Sequence, residues 1–295
     1  MPLHCRIGLA LALTSLVIAR PTGAGAAAAQ DRVYVAVVDN KGKPVAGLTA
    51  ADFKVAIDDT DQEILSVAPA TEPVSVVIIT DRLGLEPAYN NFVVHHALSG
   101  FVKGIRSGLP DSQFALTTFD GPVVRISGFS SHAAAFDKSL EKLATNATEA
   151  AMLDALMDAC QVLKGATTER KAIFAVFAGY RRDTSTQWNN TAAMALWESK
   201  ASLWAVEVRS TSADNVGAVG REQVTDQGSR MSGGMFEGVS SAVGLDSTAQ
   251  RMGALIAKQY VITYGPGGNG TTGSRRKVTV GRNGLRVVAP TWAPR

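Results

Sequence analysis

The sequence predicts an α/β fold: a doubly wound, mostly parallel sheet with flanking helices, plus a small β-sandwich formed by the N- and C-terminal strands. Continuous apolar runs such as Val74–Thr80 and Ala172–Phe177 are typical of strands buried at the centre of a parallel sheet. Segments with an apolar stripe at helical spacing, such as Glu149–Leu163, alternate with these runs. Short strand-like segments bounded by turn residues precede and follow this region.

Composition excludes several classes of protein. The 295 residues are enough for one large domain or two modest ones. Hydrophobic residues make up 46 % and charged residues 19 %, which excludes a disordered polar chain and provides for a substantial core. The net charge of +3 comes without a long run of Lys and Arg, so nucleic acid is not an expected partner. Two cysteines cannot build a disulfide-dense scaffold.

Residues 1–29 have the three regions of a secretory signal peptide: a start that carries Arg6, a short apolar stretch, and small residues that end at Ala29. The apolar stretch is shorter than the ~20 residues of a membrane-spanning helix. We therefore expect cleavage near Ala29 and an exported protein, periplasmic or secreted, with no integral membrane segment after cleavage. An uncleaved N-terminal anchor is the alternative. Cleavage leaves 27 basic against 26 acidic residues, which gives no electrostatic case for anionic membranes.

Residues 30–71 form a predicted N-terminal β segment. Val33–Asp39 is rich in β-branched residues and is followed by a turn. Phe53–Asp58 alternates apolar and polar residues, and Glu63–Val67 is a third candidate strand. No helical pattern occurs before Pro73.

Residues 72–265 form the predicted α/β domain, which at about 190 residues has the size of one ordinary domain. Its predicted elements are, in order, the strand Val74–Thr80, a helix with its apolar stripe over Phe92–Ile105, a strand pair at Phe114–Phe119 and Val123–Ile126, the helix Glu149–Leu163, the strand Ala172–Phe177, the helix Ala192–Lys200, the strand Leu203–Val208, a last helix over Met252–Gln259 and the strand Tyr260–Tyr264.

Residues 266–295 return to strand patterns. Lys277–Val280 and Leu285–Val288 flank Gly281–Gly284, whose Asn-Gly pair is a strong hairpin signal. Because two or three strands alone are marginally stable, we expect this segment to pair with residues 30–71 in one sandwich. The α/β domain is then an insertion between the two halves of the smaller unit.

The order of these features resembles a von Willebrand factor type A domain, and more specifically the bacterial exported proteins called VWFA-related, of the acidobacterial type. The resemblance covers nearly the whole chain after the signal segment. It rests on the order and spacing of several weak matches: Val33–Asp39 with the turn and the Asp52-Phe53 pair that follow, Pro73–Asp81, Leu153–Leu156, Gly233–Glu237 and Tyr260–Tyr264. It implies a non-enzymatic binding, adhesion or scaffold protein with a protein partner, of unspecified identity and oligomeric state.

Family members with an intact metal-ion-dependent adhesion site hold Mg²⁺ through an Asp-x-Ser-x-Ser loop, a threonine and a further aspartate, and the partner's acidic residue completes the shell. By this resemblance Asp81 matches the first carboxylate, but Leu83 and Leu85 stand at the two hydroxyl positions. The threonine position falls at Ala150 and the last aspartate position at Tyr180. Because Mg²⁺ prefers six oxygen ligands, we expect a degenerate site with no metal and no cofactor.

Two alternatives to this interpretation stay open. One is a divalent ion held by Asp81 together with Thr148 or Asp183, which lie within a few residues of the family's ligand positions. The other is a role for Asp81 as an ordinary turn or cap residue at the end of its strand.

A loop after the strand Ala172–Phe177 is the second candidate for binding. Tyr180, Arg181, Asp183 and Trp188 fall at the carboxyl ends of the strands, where open α/β sheets bind ligands. Tyr, Trp and Arg are also enriched at interface hot spots, although an ordinary polar loop is the alternative. The predicted binding residues are therefore Asp81, Leu83, Leu85, Thr148, Tyr180, Arg181, Asp183 and Trp188.

No catalytic residue is predicted. The chain lacks a Gly-x-Ser-x-Gly nucleophile elbow. His95 and His96 are neighbours on a predicted helix and point about 100° apart, so a shared metal ion is disfavoured. Cys160, the remaining thiol after cleavage, falls on the apolar side of its helix and is expected to be buried and inert. A hydrolase with an unrecognised site, in which His132 takes part, is the third hypothesis.

Overall fold

The elements of the fold are taken from a computed structural model that describes residues 30–81, 91–143, 149–179, 183–209, 218–265 and 273–292. In these residues the strands are β1 (Asp31–Val38), β2 (Phe53–Ile57), β3 (Thr60–Gln62), β4 (Ile64–Pro69), β5 (Val74–Thr80), β6 (Gln113–Thr118), β7 (Val124–Ser130), β8 (Arg170–Ala178), β9 (Ser202–Val208), β10 (Met235–Val239), β11 (Tyr260–Tyr264), β12 (Arg276–Val280) and β13 (Arg286–Val288). The helices are α1 (Asn91–Arg106), α2 (Ala133–Leu140), α3 (Met152–Lys164), α4 (Asn189–Ser199), α5 (Ala218–Ser232) and α6 (Ala242–Ala257).

The central sheet of the described chain has six strands in the order β10-β9-β8-β5-β6-β7. All neighbouring strands are parallel except the edge strand β7, which runs antiparallel to β6. All seven residues of β5 are buried, as expected for a strand covered on both faces. Val76 and Ile78 pack with α1, α2 and α6, whereas Val77 and Ile79 pack with α3, α4 and α5. This arrangement confirms the predicted doubly wound α/β class.

A β-sandwich is formed by the N- and C-terminal strands. Within the described residues one sheet has the order β13-β1-β11-β4, and a second sheet has the order β12-β2-β3. Alternate residues of β1, β2 and β11 fill the space between the two sheets, with Val35, Val55 and Ile262 among the most buried. The antiparallel pairs β1–β13 and β2–β12 join the two ends of the chain, as predicted.

One strand lies in a different sheet from the one that the sequence predicted. Tyr260–Tyr264 was expected to close the α/β series, but β11 runs antiparallel between β1 and β4 in the sandwich. An apolar run indicates a strand covered on both faces and does not specify which sheet covers it. The sixth strand of the central sheet is β10 instead. Because β11 belongs to the sandwich, we propose that the α/β domain ends before β11, earlier than the boundary at residue 265 that the sequence suggested.

Arg170, the first residue of β8, joins the central sheet to the sandwich. Its guanidinium is buried and donates hydrogen bonds of 2.7 Å to the carbonyl oxygens of Glu72 and Ile256. A third bond, of 2.8 Å, goes to Gln259 Oε1, and the group lies 5.1 Å from the centre of the Tyr34 ring. Burial lowers the pKa of Arg170 to about 10, because the charged form loses solvation.

Two further features bear on the organisation of the chain. None of the helices in the described part of the chain has both the length and the apolar character needed to span a membrane. The predicted signal segment, residues 1–29, lies outside the described residues.

Helices α1 and α6 pack with their backbones almost in contact. A Cβ atom added at Gly253 of α6 would lie 2.2 Å from the carbonyl oxygen of Phe101 in α1. One added at Gly104 of α1 would lie 2.8 Å from the carbonyl oxygen of Gln250 in α6. Both distances are shorter than van der Waals contact, so this helix pair requires glycine at the crossing.

We therefore expect Gly253→Ala to lower the free energy of unfolding by about 1–3 kcal/mol, because the added methyl group forces the two helices apart. The matched control is Gly128→Ala in β7, where an added Cβ has no atom within 4 Å. Urea unfolding of both variants measures the effect. Equal midpoints for the two variants would contradict the close packing of α1 on α6.

Candidate functional site

The candidate site is the surface formed by the loops at the carboxyl ends of the central strands. The strand order reverses between β5 and β8, and doubly wound sheets bind ligands in the crevice outside such a reversal. Asp81 follows β5 directly, and Asp183–Trp188 precedes α4. Five of the predicted binding residues lie outside the described residues: Leu83, Leu85, Thr148, Tyr180 and Arg181.

Asp81 ties the end of β5 to the end of β8. The residue is fully buried, and its Oδ2 accepts a hydrogen bond of 2.8 Å from the backbone N–H of Ala178. Its own backbone N–H donates to the carbonyl oxygen of Val176, at 3.3 Å. A carboxylate that accepts a buried backbone N–H acts as a structural cross-link, which agrees with the interpretation of Asp81 as a cap at the end of its strand.

Ala150 stands at the position that the sequence resemblance matched to the threonine ligand. It is fully buried, and its main chain forms single β-bridges with Asp120 on one side and Asp183 on the other. Its carbonyl oxygen accepts a hydrogen bond of 2.7 Å from the backbone N–H of Thr184. The methyl side chain of Ala150 supplies no oxygen ligand, so this position does not fit the requirement of Mg²⁺.

Main-chain hydrogen bonds place Asp81 and Asp183 in neighbouring loops. The backbone N–H of Phe119 donates to Thr80, the residue before Asp81, at 3.2 Å. The carbonyl oxygen of Phe119 accepts from Ala151 at 2.9 Å, next to the Ala150 bridge to Asp183. Asp183 Oδ1 accepts from its own loop, from the backbone N–H of Ser185 at 2.9 Å.

The loop before α4 is fixed to the start of α3. The hydroxyl oxygen of Ser185 accepts from the backbone N–H of Leu153 at 2.8 Å, which caps the first turn of α3. The carboxylate of Asp154 accepts from the backbone N–H groups of Thr186 and Gln187, each at 3.0 Å. This rigid loop ends at Trp188, whose side chain is 79 % exposed.

Arg221 of α5 is a charged residue of this site that the sequence analysis missed. The side chain is buried, donates a 2.7 Å hydrogen bond to the carbonyl oxygen of Gly179, and lies 5.2 Å from the centre of the Phe177 ring. Gly179 directly follows β8, so the positive charge of Arg221 lies against the end of this strand. The sequence indicates Arg221 only weakly, because α5 has few apolar residues and the helix itself was not predicted.

The histidines differ in their surroundings, and Nε2 of His95 is buried with no hydrogen-bond partner in the described residues. Nδ1 of His96 lies 2.8 Å from Oδ1 of Asp246, and burial lowers the pKa of His95. His132 is exposed at the start of α2. Cys160 is buried as predicted, and burial raises the pKa of its thiol to about 12. Among the described residues, no three His, Cys, Asp or Glu side chains are grouped to hold a metal ion.

Comparison with known proteins identifies the fold. No family model and no curated protein matches the sequence. A von Willebrand factor type A protein from Catenulispora acidiphila is 11 % identical, with a TM-score of 0.52 over 91 % of this chain and 75 % of that chain. Proximal thread matrix protein 1 from the mussel byssus, solved with a zinc-occupied MIDAS motif, is 14 % identical, with a TM-score of 0.52. The match covers 68 % of this chain and 49 % of the mussel chain, so the chain spans about half of that protein.

We expect Asp81→Ala to destabilise the protein by about 1–3 kcal/mol, because it leaves the buried N–H of Ala178 without an acceptor. Asp81→Asn keeps an oxygen acceptor at the same position, so its loss is expected to be smaller. Urea unfolding measures both variants. The control is Asp111→Ala at an exposed site, for which a change within about 0.5 kcal/mol is expected. Wild-type stability of Asp81→Ala would contradict the structural role of this carboxylate.

Proposed function

We propose that this chain, which has the fold of a von Willebrand factor type A domain, is a non-enzymatic protein-binding module of the adhesion or scaffold kind. The proposed binding face lies at the carboxyl ends of the central strands. The exposure of Trp188 on a fixed loop at this face carries the proposal. Tryptophan is among the residues most enriched at hot spots, and doubly wound folds bind their ligands at this edge.

Preorganisation of the loop supports the same function. A flexible loop loses conformational entropy when a partner orders it, and this loss weakens binding. Here Ser185 and Asp154 already bind the loop to α3, so the side chain of Trp188 is presented at a fixed position before any partner arrives.

We further propose that binding does not require a metal ion and that the adhesion site is degenerate. Three observations support this: the Asp81 carboxylate is engaged by Ala178, Ala150 supplies only a methyl group, and Arg221 holds a positive charge against Gly179 at the end of β8. A divalent cation held by Asp81 with Thr148 or Asp183 is the competing proposal. The support for this alternative is the mussel protein of similar fold, which was solved with zinc in its MIDAS motif.

Export is part of the proposal. Its support is the sequence of residues 1–29, which has the three regions of a signal peptide. The expected partner is therefore a protein of the cell envelope or of the exterior, in a bacterium.

We expect Trp188→Ala to weaken partner binding by about 30-fold or more, the effect of losing a hot-spot side chain worth about 2 kcal/mol. The purified protein is immobilised and exposed to an envelope extract of its source, and the retained proteins are compared between variants by quantitative mass spectrometry. The dissociation constant of each purified candidate partner is then measured by calorimetry.

The control for this experiment is Leu65→Ala, which removes an exposed apolar side chain from β4 in the sandwich. We expect it to bind like the wild type. Equal retention of every protein by the wild type and by Trp188→Ala would refute the proposed face, and equal losses in both variants would indicate non-specific adsorption.

Calorimetric titration with Mg²⁺, Mn²⁺ and Zn²⁺ separates metal-independent from metal-dependent binding. We expect no saturable heat from any of the three ions, and unchanged partner retention in the presence of a chelator. Saturable binding in the wild type that is lost in Asp81→Asn would establish the cation-dependent alternative, since this substitution removes the charge and keeps the hydrogen-bond acceptor.

A further inference from the structure

A cavity of about 940 Å³ extends along α4 and α5 to the sandwich. At one end it reaches Trp188, and at the other it is bounded by the first residues of β8 and β9 together with Tyr34 and Trp292 of the sandwich. This volume lies in the range of sites that bind small molecules, about 300–1,000 Å³.

The sandwich end of this cavity carries an excess of positive charge. Among the described residues that line the cavity, one is acidic, Glu169. The basic lining residues are Arg32, Arg170, Lys171, Lys200 and Arg276. Glu169 is already engaged, because its Oε2 accepts a hydrogen bond of 2.7 Å from Arg32. The other four basic side chains therefore have no acidic counterpart in the cavity lining that the structure describes.

Two of these cations are buried. Arg170 and Arg276 are each 3 % exposed. The hydrogen bonds of Arg170 go to carbonyl and amide oxygens, and Nε of Arg276 donates to the hydroxyl of Tyr264 at 3.1 Å. In the described residues neither guanidinium forms an ion pair with a carboxylate. Buried charges are normally paired with a carboxylate in direct contact, whereas here the Glu72 carboxylate acts on Arg170 only from a longer distance.

Hydrogen-bonding capacity is also left over at this cavity. Nε of Arg170, Nη2 of Arg276 and the hydroxyl of Tyr34 are buried and have no hydrogen-bond partner in the described structure. Each belongs to a residue that lines the cavity. Such unpartnered donors cost free energy, which a ligand with acceptor oxygens recovers.

The rest of the lining is aromatic and aliphatic. The rings of Trp197 and Trp292 lie 5.7 Å apart in an edge-on arrangement, and both line the cavity. Leu196, Met231 and Ile256 add aliphatic surface. A ligand that fits this lining combines an anionic group with a flat apolar body.

We propose that this cavity is a binding site for a small organic anion, an aromatic or otherwise carbon-rich carboxylate. The basic sandwich end takes the carboxylate, with the spare N–H groups of Arg170 and Arg276 as its donors. The apolar body lies against Trp197 and Trp292. Trp188 lines the far end of this cavity, but neither the carboxylate end nor the Trp197–Trp292 pair depends on it, so the two proposals fail separately.

The test uses the matched pair 1-naphthoate and its neutral analogue 1-naphthamide. Binding to the purified protein is followed by the change in tryptophan fluorescence and by the rise in melting temperature that a ligand of the native state produces. We expect saturable binding of naphthoate and about tenfold or more weaker binding of naphthamide. Absence of saturable naphthoate binding at millimolar concentration, or equal affinity for the two compounds, would overturn the proposal.

Substitution locates the site. Arg276→Gln is expected to weaken naphthoate binding about tenfold or more, whereas Arg282→Gln, an exposed arginine of the same sandwich that pairs with Asp52, is expected to bind like the wild type. Should Arg276→Gln fail to fold, Lys200→Gln at the exposed rim and Trp292→Ala replace it, each with a several-fold loss expected. Unchanged affinity in the folded variants would place naphthoate elsewhere and refute the site.

Discussion

The hydrogen bonds of the buried Arg170 guanidinium hold the two units of this protein in one arrangement. Its partners lie where the chain passes between the units: Glu72 precedes β5, Ile256 lies near the end of α6, and Gln259 precedes β11. A buried cation without a carboxylate in direct contact is costly, and here carbonyl dipoles, the Tyr34 ring and the nearby Glu72 carboxylate replace water around it. The cavity beside α4 is lined by residues from both sides of this junction.

Main-chain hydrogen bonds stabilise a buried charged group at each end of the central sheet, a cation at the amino end and a carboxylate at the carboxyl end. At the amino end, carbonyl oxygens surround Arg170, and at the carboxyl end, the N–H of Ala178 donates to Asp81. The Arg170 guanidinium requires hydrogen-bond acceptors, and the Asp81 carboxylate requires a donor. Both charges are therefore used to hold strands and connections in place. This use gives Asp81 a structural role that does not depend on a bound metal ion.

The sequence predicted correctly those elements whose burial produces a local pattern of apolar residues. The apolar runs of β5 and β8 predicted the parallel sheet, and the position of Asp81 directly after β5 predicted a cap at the end of that strand. The sheet that contains β11 was not predictable, because the run Tyr260–Tyr264 has the same pattern in either sheet. Arg221 was missed because α5 has two glycines and few apolar residues. Arg170 and Arg276 line the same cavity although they are 106 positions apart in the chain. A local sequence pattern cannot predict such a distant contact.

The proposed independence from a metal ion changes what the binding face must use as a source of affinity. With a bound ion, a partner's carboxylate completes the metal shell, and much of the interaction is electrostatic. Without an ion, affinity comes from apolar area: a tryptophan buries about 150–250 Å², worth about 4–6 kcal/mol before costs. Ordering a loop around it would consume part of that gain. Because Asp154 and Ser185 hold the loop in place beforehand, more of the gain from Trp188 remains for binding.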